Sequence, residues 1–232
     1  DGFLVSFAGA MNDAANRAAI SFRATLEAEN WDEVLETAPT LVSVFVRIDP
    51  LACDAEAVKA RLLALAKRQD WLAAPLPTSR HLWRIPTVFG GDRAPQLEEA
   101  AKLAGRTAAQ AVDDFTKNPV RVLTLGFAPG QPYLGMLPDH WNIPRQTGLP
   151  RAVPAGSLVA AVQQFCLFTT ESPTGWRHVG QTAFQCYQPA APDPFPLKPG
   201  DALLFEAITA DELAKIEGTN DPMGDARKEP LG

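Results

Sequence analysis

The chain has 232 residues, 46% of them apolar, and a formal net charge of −6. That is room for one large domain or two small ones with a packed core, and it excludes global disorder. No block of Lys or Arg and no apolar run of about 18 residues occurs, so neither a nucleic-acid surface nor a membrane span is expected.

The three cysteines, Cys53, Cys166 and Cys186, form no CxxC pair, and His81, His140 and His178 are scattered. Neither a disulfide framework nor a metal site is expected, which fits a reducing cytoplasm. The opening "DGFLVSFAGA" lacks a basic region and a long apolar stretch, so it reads as a strand rather than a signal peptide.

Phe3, Val5 and Phe7 share one face of that strand. Ala15, Ala19, Phe22 and Leu26 then recur at helical spacing across 11–30, with Asn12 or Asp13 as the cap. "WDEVLETAP" and "LVSVFVRI" (41–48) predict two strands. Asp54 caps a second helix with Val58, Leu62, Leu65 and Ala66 inward, and "TSRHLWRIPTVF" returns to extended structure. The order β-α-β-β-α-β predicts a ferredoxin-like N-terminal domain over 1–84.

Pro95 and Gly105 bracket a third helix, 96–104. "TAAQ" (107–110) is a capping box that starts a fourth, which turns Ala108, Val112 and Phe115 inward. "VRVLTL" (120–125) is a strand that runs straight into "GFAPGQPYLGMLP" (126–138). Beyond it, short strand-like pieces at 157–168, 176–187 and 202–208 alternate with Gly/Pro turns, one of them "LKPGD" (197–201). That texture predicts a β-barrel or sandwich over 85–210. The segment 211–232 reads as a polar tail, helical or frayed.

Several chemistries are absent. There is no GxxxxGK[ST] phosphate cradle, no GxGxxG after a strand, no GxSxG and no HExxH. An ATP-driven reaction would need another chain to supply the nucleotide machinery.

What remains is "GFAPGQPYLGMLPDHWNIPRQTGLPRAVPAGS" (126–157), then "ESPTGWRHVG" (171–180) and "LKPGD". This pattern resembles the allophanate hydrolase subunit 1 family, which includes the B-subunit of bacterial ATP-dependent 5-oxoprolinase and a sporulation histidine-kinase inhibitor. Its members correspond to one half of the carboxyltransferase domain of urea carboxylase. The resemblance implies an α+β chain: a small N-terminal domain, then a cyclophilin-like barrel. It also implies a second carboxyltransferase-like barrel subunit of the kinase-inhibitor antagonist family, a further lactam-utilisation subunit, and ATP used by the complex to open 5-oxoproline to glutamate.

Residue by residue, the expected substrate-binding positions are Tyr133, Arg145, Arg151, Gln164, Ser172 and Trp176. Gly126, Gly130 and Gly135 would supply positive φ or close backbone approach, and Pro129 would stiffen the loop. Arg145 and Arg151 fit either a bidentate carboxylate or phosphate clamp or surface ion pairs. Gln164 can bind a carboxylate, carbamate or lactam. Tyr133 and Trp176 suit a pocket wall or the core, and Ser172 has no base nearby in sequence. The catalytic residues are not identified. Departures from the family pattern fall at Gln96 for aspartate, Phe115 for histidine, Gln131 for an aromatic and Gln181 for arginine, and "QTG" has become Gln164-Phe165-Cys166. A regulatory binding role, such as inhibition of a kinase, is the competing reading.

Overall fold

The computed structural model describes residues 1–148 and 152–231. The chain divides into two compact units, Asp1–Thr78 and Ser79–Gly232. No helix among the described residues is long and apolar enough to cross a membrane.

The first unit holds β1 (Gly2–Ser6), α1 (Asp13–Glu29), β2 (Val34–Pro39), β3 (Ser43–Ile48) and α2 (Ala55–Ala66). Both helices start on side-chain caps. Asn12 accepts the Ala15 N–H at 2.8 Å, and Asp54 accepts those of Glu56 and Ala57. Each cap satisfies donors the first turn cannot pair internally. The strands form an antiparallel sheet in the order β1-β3-β2. Phe22 and Leu26 of α1, Val44 and Val46 of β3, and Leu62 and Leu65 of α2 make its core.

The fourth strand expected here lies elsewhere. β4 (Arg80–Phe89) belongs to the second unit, where it runs parallel to β12 (Ala202–Ala207) over six residue pairs. Trp83 and Ile85 of β4 enter that unit's core. The alternation of the segment identifies a strand but carries no information about its partner.

The second unit continues with α3 (Leu97–Leu103), α4 (Ala108–Lys117), β5 (Val120–Leu125), β6 (Pro132–Gly135) and β7 (Ala152–Val153). After these come β8 (Ser157–Ala161), β9 (Gln164–Leu167), β10 (Ser172–Pro173), β11 (Arg177–Gln181), β12, α5 (Ala210–Gly218) and β13 (Arg227–Leu231). The order β11-β8-β9-β6-β5-β12-β4 closes through a β11–β4 pairing, giving a seven-stranded barrel. β13 pairs with the first half of β4, so the C-terminal segment is part of the sheet and not a frayed tail. β7 and β10 form a separate ribbon.

Successive residues of β6, β8 and β9 alternate between two apolar layers. Leu134, Ala160 and Phe165 point into the barrel, where Phe115 of α4 meets Phe165 edge-on at 4.7 Å. Tyr133, Val159 and Cys166 point outward, yet they too are covered, by Val153, Phe168 and Trp176. The sequence run 157–168 is a hairpin, not one strand. Val162 and Gln163 both take positive φ at its turn, a conformation that disfavours branched side chains. Their backbone N–H groups bond to Ile143 and Trp141 carbonyls at 2.8 and 3.1 Å, which holds the turn.

Candidate functional site

The signature motifs are built around one repeated device. "APGQ" (128–131), "PAGS" (154–157) and "KPGD" (198–201) each close with a backbone bond from the fourth residue to the first. The third residue is glycine at φ +71, +78 and +98. These are type II turns, which require positive φ at that position. Gly130 and Gly156 face a second constraint. A Cβ at Gly130 would collide with the Cys186 carbonyl oxygen, and one at Gly156 with that of Thr182. A Cβ at Gly135 would lie only 3.3 Å from the Gln163 carbonyl oxygen, while one at Gly126 would meet nothing.

The loop 126–131 is thus a compact hairpin tip, tied by Gly126 N–H to the Gln131 carbonyl at 3.0 Å. Phe127 projects from it, 77% exposed. Gln131, the departure from the family pattern, is buried and accepts the Thr169 N–H. Asp201 ends the third turn. Its carboxylate, 1% exposed, accepts the N–H groups of His81, Lys198 and the Trp83 indole. It is a structural anchor joining the start of β12 to the start of β4.

A cavity of about 860 Å³ opens beside β11 in this unit. Its walls include Gln96 before α3, Gln146, Thr174, Trp176, and His178 and Gln181 of β11. The ribbon contributes Ala152 and Val153. A second cavity of about 430 Å³ shares Ala155, Gln181 and Glu217 with the first.

Hydrogen bonds fix the orientation of each carboxamide. Gln96 accepts the His178 N–H at 3.0 Å, so its amino group faces out and donates to Gln146 at 2.8 Å and Glu99 at 3.3 Å. Gln146 donates to the Trp176 carbonyl at 3.0 Å. Gln181 donates to the Ala155 and Thr182 carbonyls and accepts from the Ser157 hydroxyl. Thr174 accepts the Trp176 N–H.

Two oppositely charged residues of the described lining pair with each other. Arg93 forks onto Glu217 with contacts of 3.1 and 2.8 Å. Asp92 is the other charged residue among the described lining. His178 is 5% exposed, and burial moves its pKa below the usual histidine value. Its Nε2 has no hydrogen-bond partner among the described residues. Cys166, on the covered outer layer, has its thiol pushed up to about 12 by burial, so it is not a thiolate nucleophile at neutral pH.

Of the six residues the sequence singled out for substrate binding, Trp176 lines the cavity. Tyr133 meets Trp176 edge-on with centroids 6.1 Å apart. Burial raises its phenol pKa and Arg145 pulls the other way. Arg145 is exposed and lies beside Gly175. Gln164 is buried on β9, packed against Gly135, outside the cavity lining. Ser172 sits on β10, 3.4 Å from the Thr170 hydroxyl. Arg151 lies outside the described residues.

Sequence reasoning missed Gln146 and His178 as lining residues and noted Gln96 and Gln181 only as departures. Carboxamides carry no spacing signature, and these four converge from segments 50 or more residues apart at the extremes.

The 5-oxoprolinase B-subunit of E. coli O157:H7 is 36% identical over 145 residues, 61% of this chain and 66% of that protein. The 5-oxoprolinase B-subunit of Bacillus subtilis is 27% identical over 216 residues, 89% of each chain. The crystal structure of TTHA0988 superposes with a TM-score of 0.76 at 26% identity, covering 90% of this chain but 40% of that one. This chain therefore spans less than two thirds of the E. coli relative and under half of TTHA0988. The family model for the carboxyltransferase domain, subdomain C and D, matches residues 1–197, and the chain belongs to that family.

Proposed function

We propose that this chain is the component equivalent to the 5-oxoprolinase B-subunit in an ATP-dependent amidohydrolase complex, acting on a cyclic amide C–N bond. The observation that supports this reading is the cavity beside β11. It is lined by an indole and three oriented carboxamides, in a member of a family whose named relatives are 5-oxoprolinase subunits. Trp176 gives an apolar wall for a flat ring, and the carboxamides give directional hydrogen bonds to an amide.

The cavity does not fit a nucleotide triphosphate. Its described charged lining is two carboxylates to one guanidinium, and that guanidinium is already engaged by Glu217. On this reading ATP is used by the complex and its nucleotide machinery belongs to another chain. The partners are a second carboxyltransferase-like barrel subunit and a lactam-utilisation subunit, in the cytoplasm.

Co-expression with the candidate partner subunits tests the reading. The purified complex is expected to convert 5-oxoproline to glutamate in the presence of ATP and not in its absence. An intact complex that turns over neither 5-oxoproline nor another lactam or urea derivative would refute it.

A further inference from the structure

Two glutamines of the cavity wall sit on short or irregular segments. Gln146 lies in 142–147, which forms neither helix nor strand, and Gln96 precedes the seven-residue helix α3. Both are held against residues 175–178, which lead into β11. Gln146 gives its backbone N–H to the Gly175 carbonyl at 2.7 Å and its side-chain N–H to the Trp176 carbonyl. Gln96 exchanges two bonds of 3.0 Å with the His178 backbone.

Arg177 stands behind these contacts. Its side chain is 8% exposed and lies outside the cavity lining. Its Nε donates to Glu99 of α3 at 2.8 Å, and its Nη1 donates to the Pro144 carbonyl. Two routes lead from this guanidinium to Gln146. One is the chain itself, two residues on from Pro144. The other runs through Glu99, whose second oxygen accepts the Gln96 amino group at 3.3 Å, and Gln96 donates to Gln146 at 2.8 Å. A guanidinium carries several donors in one rigid plane and can serve two diverging acceptors, whereas an ammonium is a point charge. Bonds from a charged donor are about twice as strong as neutral ones, such as those of Gln146 to Gly175 and Trp176.

We propose that Arg177 is a positioning residue for the cavity. Through the Pro144 carbonyl and through Glu99 it holds segment 144–146 and the start of α3 against β11, and so fixes where Gln146 faces the ligand. Gln96 keeps its own two backbone bonds to His178, so Gln146 is the wall residue that depends on the arginine. The inference rests on the amidohydrolase reading for the identity of the ligand.

Arg177→Met is tested in two ways. In the full chain alone, hydrogen exchange of the Gln146 backbone amide should run about tenfold faster than in the parent. In the assembled complex, the KM for 5-oxoproline should rise about fivefold with kcat within about twofold of the parent. A residue that acts through Gln146 has little left to act on once that side chain is gone. In a Gln146→Leu background, Arg177→Met should therefore raise KM by less than about twofold. A Gln146 amide that exchanges at the parent rate overturns the proposal. So do KM effects that multiply across the two substitutions. Full rescue by Arg177→Lys overturns it too, because one point charge cannot serve both acceptors. Where Arg177→Met does not fold, Glu99→Gln carries the exchange test with the arginine retained, and about threefold faster exchange at Gln146 is expected. A complex that opens 5-oxoproline while Arg177→Met leaves both exchange and KM at parent values sinks the inference and leaves the function standing. Accelerated exchange at Gln146 in a complex without turnover does the reverse.

Discussion

Asp201→Asn probes the anchor at the third signature turn. In the parent, Oδ1 accepts the His81 N–H at 2.8 Å, and Oδ2 accepts those of Lys198 at 3.0 Å and the Trp83 indole at 3.2 Å. Asparagine keeps one oxygen. With that oxygen at the Oδ2 position, its amino group is left facing the His81 N–H, donor against donor. A bond to a charged acceptor contributes about 1.5–3 kcal/mol, and the two retained bonds fall to the neutral range, so the expected loss is roughly 2–4 kcal/mol. For a chain of this length that lowers Tm by roughly 5–15 °C. Urea unfolding followed by hydrogen exchange at the β4 and β12 amides measures it, and the loss of protection should concentrate there. A variant within about 0.5 kcal/mol of the parent, the range of a neutral surface change, would refute the anchoring role.

Gly156→Ala forces a Cβ into positive φ and against the Thr182 carbonyl, so it should cost roughly 2–4 kcal/mol by urea denaturation. Phe115→Ala removes a ring packed against Trp141 and Phe165 and should cost about 3–5 kcal/mol in the same assay. His178 stays neutral in the fold because burial disfavours its charge, whereas the unfolded chain takes up a proton as pH falls through about 6.5. Its contribution is therefore full above that pH and declines below it, by no more than about 1.4 kcal/mol per pH unit. His178→Gln should flatten that part of the urea-midpoint profile between neutral and mildly acidic pH.

Local features of the fold are legible because they are written in contiguous residues. The Asn12 and Asp54 caps and the Thr107–Gln110 capping box all form as their sequences require. The Thr209–Glu212 box of α5 is equally plain in "TADE", and it gives the C-terminal segment an ordered start that a frayed tail would lack. Partner choice is not legible. β4 finds β12 more than a hundred residues away, and nothing in either strand encodes that pairing. The hairpin at Val162–Gln163 is hidden because its turn is stabilised by Ile143 and Trp141 carbonyls rather than by turn residues of its own. In the signature block the motif glycines Gly130 and Gly156 serve turn geometry, while the cavity is lined by residues such as Gln146 whose role depends on where Gln96 and Trp176 are brought.

The most direct measurement compares the reconstituted complex carrying parent chain with one carrying Gln146→Leu, by glutamate formed from 5-oxoproline per ATP consumed. The parent complex is expected to form glutamate only with ATP, and the variant to raise the KM for 5-oxoproline about tenfold, the equivalent of one lost amide contact. Unchanged kinetics in the variant, or no glutamate from the intact parent complex, would contradict it.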